Sequence, residues 1–125
     1  MTAARSILGK EGEDLACGEL ARRGYAIVAR RFRVRSGELD IVARDGAVLV
    51  FVEVKTRAGR RFGDPAEAVT PAKQRRMVRL ASEYLVRHRL PDCPCRFDVV
   101  SVDAGATPPA VEVIRNAFDA TASTV

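Results

Sequence analysis

Two short apolar runs separated by an Asp-Gly pair are the clearest pattern in the chain. Both lie within residues 37–57, and each is rich in Val, Ile, Leu and Phe. Asp45-Gly46 stands between them. Apolar runs joined by Asp-Gly are typical of a β-hairpin. The pattern therefore predicts two antiparallel strands in this stretch.

The rest of the chain alternates between helical and strand-like patterns. A helix is predicted over about residues 8–23, because Ala16, Cys17 and Leu20 form an apolar stripe and Gly24 is a stop signal. Thr70-Pro71 has the N-cap and first-turn residues of a second helix. In chain order we predict a helix over 8–23, a strand over 25–34, the hairpin within 37–57, a helix from 71 to about 88 or 89, a strand over 96–102 and a short edge strand over 111–114.

This order predicts an α/β domain, in which a mixed β-sheet is flanked by helices on both faces. The order of the core is αβββαβ. A chain of 125 residues is large enough for one domain with a proper core. We expect residues 1–125 to form that single domain, with a frayed tail from about residue 117, because the end of the chain is polar and rich in small residues.

Charged residues interrupt the apolar hairpin at Asp40, Glu53 and Lys55. Such charges cost free energy in a buried strand unless they are paired or bind a metal ion. A turn centred on Asp45-Gly46 would place Asp40 opposite Phe51 and Glu38 opposite Glu53. These side chains and that of Lys55 would then all project from one side of the sheet, and Glu53 would be a diagonal neighbour of Asp40.

Converging carboxylates of this kind favour a hard divalent cation such as Mg²⁺ or Mn²⁺. A lysine two residues beyond a carboxylate ligand, here Lys55, can contact the attacking water or a phosphate oxygen. The layout suits hydrolysis of a phosphodiester bond. The alternative is that Asp40 pairs locally, while Glu53 and Lys55 form an ion pair at the edge of a sheet.

The chain also resembles a known family. Asp40 followed by Glu53-Val54-Lys55 is similar to the PD-(D/E)xK nuclease motif, with Leu39 where that motif has proline. Over most of its length the chain resembles, more closely, the YraN-like bacterial family, which is related to archaeal Holliday junction resolvases. The residues that carry this resemblance are Gly12-Glu13, Leu15-Ala16, Gly24-Tyr25, Gly37-Glu38-Leu39-Asp40, Phe51 to Lys55, Arg57, Phe62-Gly63, Lys73, Arg96-Phe97-Asp98 and Asn116-Ala117-Phe118. Phe32 follows Arg31 where that family often has Asn.

The resemblance implies a restriction-endonuclease-like fold and a nuclease that requires Mg²⁺ or Mn²⁺. Catalytic residues would be Asp40, Glu53, Lys55 and Glu13, because related nucleases bring a helix carboxylate to the metal. Glu38 would be a further metal ligand. The alternative for Glu13 is an exposed acid near the start of a helix. Branched DNA as substrate and a two-fold homodimer are implied by the similarity to resolvases.

The net charge of +5 is compatible with a nucleic-acid partner, and the abundance of arginine favours contacts to phosphate. Basic and polar residues near the hairpin are candidate nucleic-acid contacts: Arg31, Arg33, Arg35, Arg57, Arg60, Arg61, Lys73, Gln74 and Arg76. The arginines at 31, 33 and 35 share one face if the strand alternates regularly. The alternatives are a solvated basic edge, a nucleic-acid-binding module without catalysis, or a basic domain that binds an acidic protein.

No apolar run is long enough to span a bilayer, and residues 1–10 lack the apolar core of a signal peptide. We therefore expect a cytoplasmic protein without a membrane partner. Cys93-Pro94-Cys95 has poor spacing for zinc, so free thiols are expected. His88 is expected to pack, and Asp98 to pair with Arg96 or a neighbouring strand.

Overall fold

In the part of the chain that the structure describes, a five-stranded mixed sheet has one helix on each face. A computed structural model describes residues 2–57 and 69–120, with side chains from Gly9 onward. The elements are α1 (Thr2–Arg22), β1 (Ala26–Val34), β2 (Gly37–Asp45), β3 (Val48–Arg57), α2 (Pro71–Arg87), β4 (Cys95–Asp103) and β5 (Ala110–Ile114). The predicted α/β class and the αβββαβ order are confirmed, and α1 begins earlier than predicted.

The strands lie side by side in the order β1-β2-β3-β4-β5. β3 and β4 are parallel, and the other neighbours are antiparallel. A parallel pair needs a crossover connection, and α2 provides it. β3 is the central strand, and its run from Leu49 to Val52 is fully buried.

Each helix packs on its own face of the sheet. Met77, Leu80 and Tyr84 of α2 belong to one core cluster together with Phe51 of β3. Ala16 and Leu20 of α1 belong to the other. α2 starts where its capping residues predict, because the Thr70 hydroxyl accepts a hydrogen bond from the Lys73 backbone N–H at 3.2 Å.

The close approach of α1 to β3 depends on Gly12. A Cβ atom at this position would overlap the Thr56 side chain near the end of β3. The missing side chain therefore allows α1 to sit directly against the sheet. This contact brings Glu13, the next residue, to the same end of β3.

The predicted hairpin register is wrong by two residues. Asp45 pairs with Val48 and Ile41 pairs with Val52, so the two-residue turn is Gly46-Ala47. Asp40 is therefore not opposite Phe51, and Glu38 is not opposite Glu53. A shift of two residues preserves the face to which each β3 side chain points.

β1 departs from the regular alternation that was predicted for its arginines. Its pairing with β2 shifts between Ile27 and Ala29, and Arg31 has a positive φ of 56°. Adjacent residues Arg30 and Arg31 both reach the carboxylate of Glu13. A regular strand would direct these two side chains to opposite faces.

The tail differs from the expected frayed segment. The Ala117 backbone N–H donates to the Phe97 carbonyl at 2.8 Å. Phe118 is buried and stacks on Phe97 with ring centroids 4.7 Å apart. The tail is therefore docked to β4 at these positions, and residues 121–125 lie outside the described part of the chain.

Asp98 is the fully buried carboxylate of β4. It accepts hydrogen bonds from Arg96 Nε at 2.9 Å, Tyr25 Oη at 2.8 Å and the Asn116 backbone N–H at 3.0 Å. The predicted pairing with Arg96 is confirmed. Asp98 therefore has a structural role.

The predicted packing role of His88 is confirmed as well. His88 stacks on Tyr84, with ring centroids 3.9 Å apart. Cys17, Cys93 and Cys95 are free thiols. Among the residues that the structure describes, no helix combines the length and the apolar character needed to cross a membrane.

Candidate active site

The pairing between β2 and β3 ends just before the predicted acidic residues. Ile41–Val52 is the last pair, and continuing the register by one residue sets Asp40 opposite Glu53. Instead of a strand-to-strand bond, the Val54 backbone N–H donates to Asp40 Oδ2 at 2.8 Å. Asp40 is therefore held in place by the backbone of β3, at the point where the two strands separate.

Glu53 is contacted by two lysines. Its Oε2 lies 2.8 Å from Lys73 Nζ and 3.7 Å from Lys55 Nζ. The Glu53 side chain is only 14% exposed. The first turn of α2 therefore reaches across to the C-terminal half of β3, and Lys73 joins the two charged residues predicted on that strand.

Glu13 approaches the same place from the other face of the sheet. Its side chain is 12% exposed and pairs with Arg31 Nε at 3.3 Å. It lines an open cavity of about 330 Å³ together with Gly9, Asp40, Val54, Lys55 and Thr56. The predicted catalytic residues Asp40, Lys55 and Glu13 thus border one space, and Glu53 joins them through its contact with Lys55.

Burial and the neighbouring carboxylates shape the electrostatics of this cavity. Burial, followed by repulsion from Glu53, raises the pKa of Asp40 to about 7. Burial and the nearby Lys73 lower the pKa of Lys55. Burial is the largest single effect on Lys73 and acts to lower its pKa, but the hydrogen bonds with Glu53 and Lys55 and the charge of Glu53 together outweigh it, so this pKa is raised. Asp40 and Lys55 are thus both pushed toward their neutral forms.

The donor chemistry of the cavity fits a divalent cation. Asp40 and Glu53 supply hard oxygen ligands, and a cation between them would relieve the repulsion that raises the Asp40 pKa. Mg²⁺ commonly uses one or two carboxylates and completes its shell with water and phosphate. Within residues 9–57 and 69–120, no three Asp, Glu, His or Cys side chains converge as a complete set of metal ligands. The fit therefore rests on two carboxylates, with Glu13 as a third across the cavity.

Glu38, the other predicted metal ligand, lies elsewhere. Its Oε2 is 2.8 Å from Arg33 Nη2, across the β1–β2 pair. It is not among the residues that line the cavity. The early end of the β2–β3 ladder explains this placement, because Glu38 lies three residues beyond the last pair.

The predicted nucleic-acid contacts fall into three groups. Arg31 and Arg33 are ion-paired on β1, and Arg35 is exposed in the following turn. Arg57 is the last residue of β3, and Arg60 and Arg61 lie outside the described residues. On α2, Lys73 reaches Glu53, Gln74 Nε2 donates to the Val69 carbonyl at 3.1 Å, and Arg76 is exposed.

Two features of the site were not anticipated from the sequence. One is the hydrogen bond from the Val54 backbone to Asp40, which follows from the register. The other is the charge on Glu13, which is neutralised by Arg30 and Arg31 together. Neither has a local sequence signal, because both depend on residues that are distant in the chain.

Residues 12–102 match the Uncharacterised protein family UPF0102. The chain belongs to this family. A UPF0102 protein of Symbiobacterium thermophilum is 56% identical over 114 residues, which cover 90% of this chain and 97% of that protein. One from Geobacter metallireducens is 46% identical and covers 95% and 98% of the two chains, and one from Frankia alni is 50% identical and covers 92% and 97%. The resemblance to the YraN-like family is thereby confirmed.

The UPF0102 match includes every residue that borders the cavity except Gly9. It also includes Glu53 and Lys73. The candidate site therefore lies within the part of the chain that defines the family.

Proposed function

We propose that this UPF0102 protein is a divalent-metal-dependent nuclease that hydrolyses phosphodiester bonds in DNA. The observation that carries the proposal is the convergence of Asp40, Glu53 and Lys55 where the β2–β3 ladder opens. The similarity of these residues to the PD-(D/E)xK motif supports the same conclusion. The resemblance to archaeal Holliday junction resolvases favours branched DNA as the substrate.

Asp40 and Glu53 would hold Mg²⁺ or Mn²⁺, and Glu13 would assist from α1. Such an ion, when bound, polarises the phosphate and lowers the pKa of a coordinated water. The Val54 N–H orients the Asp40 carboxylate, so this ligand needs little reorganisation. Lys73 neutralises Glu53 and would compete with a cation for Oε2.

Lys55 would act on the phosphate itself. Its Nζ lies beside Glu53 and the residue lines the cavity, so it could donate to an oxygen on which negative charge develops. Its lowered pKa also makes its proton easier to release than that of a solvated lysine.

A nucleic-acid-binding module without catalysis is the second candidate. The contacts of Lys55 and Lys73 with Glu53 favour it, because these ion pairs already satisfy the carboxylate without a metal. Binding would then depend on the basic residues alone.

A cleavage assay separates the two functions. Supercoiled plasmid and a four-way DNA junction would be incubated with the protein and Mg²⁺ or Mn²⁺. We expect cleavage by the wild type and at least a hundredfold loss in Asp40→Asn and Lys55→Ala, because each removes an interaction with the reacting groups. Gel analysis of the products gives the rates.

Asp45→Asn is the matched control, because Asp45 lies at the opposite end of β2 and pairs with Arg96 and Arg115. Its cleavage rate should stay near that of the wild type. Junction binding without cleavage under both ions would establish the binding-module function instead. Equal rates in wild type and Asp40→Asn would show that the cleavage comes from another site or from a contaminant.

The proposal includes a homodimer in the cytoplasm. Symmetric cleavage of a four-way junction needs two active sites related by a two-fold axis. Three free thiols are compatible with a reducing compartment. Analytical ultracentrifugation with and without junction DNA would measure the oligomeric state.

A further inference from the structure

The arginines of β1 are neutralised by acidic side chains. Arg30 Nη2 lies 2.8 Å from Asp14, Arg31 Nε 3.3 Å from Glu13 and Arg33 Nη2 2.8 Å from Glu38. A phosphate that approached these guanidinium groups would meet the carboxylates as well. Its binding would require the existing ion pairs to open, so this surface is a poor anion site.

The arginines of α2 have a different environment. Arg75, Arg76 and Arg79 are exposed, and none of them forms an ion pair with another described residue. The α2 sequence contains five basic residues and one acid, Glu83, which pairs with Arg87. The α1 sequence contains three basic and four acidic residues. Uncompensated positive charge is therefore concentrated on the α2 face of the sheet.

Three of the α2 basic residues form a row that begins at the candidate site. Lys73, Arg76 and Arg79 are three residues apart, so they share one side of the helix. They line an open cavity of about 380 Å³ together with Thr70 and Ala72. Lys73, the first residue of the row, also contacts Glu53 Oε2 at 2.8 Å, so the row starts within the same cluster as the carboxylates.

We propose that the phosphate backbone of duplex DNA docks along the row of Lys73, Arg76 and Arg79 on α2, and that the arginines of β1 do not form this contact. This docking surface extends the proposed nuclease function and rests on it. Because Lys73 contacts Glu53, a strand bound along the row would lie next to the candidate active site. Exposed guanidinium groups can each bind a phosphate through two hydrogen bonds. The row therefore determines the side from which the substrate approaches.

The test is the salt dependence of binding. Fluorescence anisotropy would measure the affinity of wild type and of Arg76→Gln/Arg79→Gln for a labelled duplex between 50 and 200 mM salt, with EDTA present to prevent cleavage. We expect binding to weaken about tenfold, and the slope of log affinity against log salt to fall by about 2, because each lost phosphate contact removes about 0.9 from the slope.

Arg22→Gln/Arg23→Gln is the matched control, because it removes the same charge from α1, where both arginines pair with Glu19. Its slope should equal that of the wild type. Arg31→Gln/Arg33→Gln tests the competing surface and should change the slope by less than the α2 variant. Circular dichroism would show that all variants are folded.

A slope that falls equally in the α2 variant and in the control would overturn the proposal, as would a larger fall in the β1 variant or a wild type that does not bind. If the α2 variant still cleaves DNA and its slope of log affinity against log salt is unchanged, the proposed docking surface is refuted and the nuclease function stands. If binding depends on Arg76 and Arg79 but the wild type cleaves no DNA, the nuclease function is refuted and the docking surface stands.

Discussion

Asp40 and Asp98 show, at the scale of single residues, two ways to bury a carboxylate. Asp98 is surrounded by donors, including the guanidinium group of Arg96. Asp40 receives one backbone N–H and faces the carboxylate of Glu53, so burial and repulsion raise its pKa to about 7. The first arrangement stabilises the fold, whereas the second opposes ionisation and favours a bound cation.

We therefore predict that Asp40→Asn stabilises the protein at neutral pH when no divalent ion is present. The raised pKa means that the native state holds a proton that the unfolded state has released. Stability due to Asp40 is thus fully present below about pH 4 and is lost as the pH rises through about 7. The side-chain oxygen of asparagine can still accept the hydrogen bond that the Val54 backbone N–H donates. The expected gain is on the order of 1–3 kcal/mol at pH 8.

Urea denaturation of wild type and Asp40→Asn between pH 4 and 8, in the presence of EDTA, measures this effect. The difference in the free energy of unfolding should grow with pH and be smallest near pH 4. If Asp40→Asn is less stable than the wild type at pH 8, the ionised Asp40 does not destabilise the fold, and this prediction is wrong.

The elements determine how closely the functional residues meet. α1 bears Glu13, and α2 bears Lys73 in its first turn. The Thr70 N-cap fixes where α2 begins, and Gly12 lets α1 lie against Thr56. A displacement of either helix would withdraw its charged side chain from the end of β3.

Gly12→Ala should destabilise the protein by about 1–3 kcal/mol despite the higher helix propensity of alanine, because the new Cβ overlaps the Thr56 side chain. Thermal denaturation would measure the change. Gly18→Ala is the control within α1, because its Cβ would meet no atom closer than Arg22 Nη1 at 3.7 Å. That variant should gain about 0.5–1 kcal/mol.

The Thr56→Ala change tests the cause. It removes the hydroxyl oxygen and the methyl group nearest to the added Cβ, so Gly12→Ala/Thr56→Ala should recover part of the lost stability. Additive losses in the double variant would show that Gly12 is needed for another reason.

At the scale of the whole molecule, the sheet separates its charged clusters to opposite ends of β2. Asp40 lies near the start of this strand, beside Glu53 and Lys55. Asp45 lies at its end, where it pairs with Arg96 and Arg115. The second cluster connects β4 to the end of β2 through Asp45, and to Tyr25 before β1 and Asn116 after β5 through the buried Asp98.

Asp98→Asn should therefore destabilise the whole fold, by about 3–5 kcal/mol, because it leaves the Arg96 guanidinium without its buried partner. Tyr25→Phe removes two hydrogen bonds from the same network, one donated to Asp98 and one accepted from Arg96, but leaves both charges paired, so it should cost only about 1–3 kcal/mol. Chemical denaturation gives both values. Equal stability of wild type and Asp98→Asn would show that Asp45 alone holds Arg96.

The fold was largely predictable because its signals are local. Apolar runs, Thr70-Pro71 and Gly24 determine which segments become strands and helices and where they end. Residues 117 and 118 depart from the predicted frayed tail, since the burial of Phe118 depends on Phe97, which lies 21 positions earlier. Composition alone describes such a segment as a tail.

The sequence by itself determined the order of elements, the α/β class and the choice of Asp40, Glu53 and Lys55, because alternation and unpaired charge in an apolar strand are local properties. The tertiary structure alone decided the register, which sets Asp40 opposite Glu53, and the arrival of Glu13 and Lys73 from opposite faces. It also decided which arginines are neutralised. These contacts join residues far apart in the chain, and only the packing of α1 and α2 on the sheet brings them within the few ångströms over which charges pair.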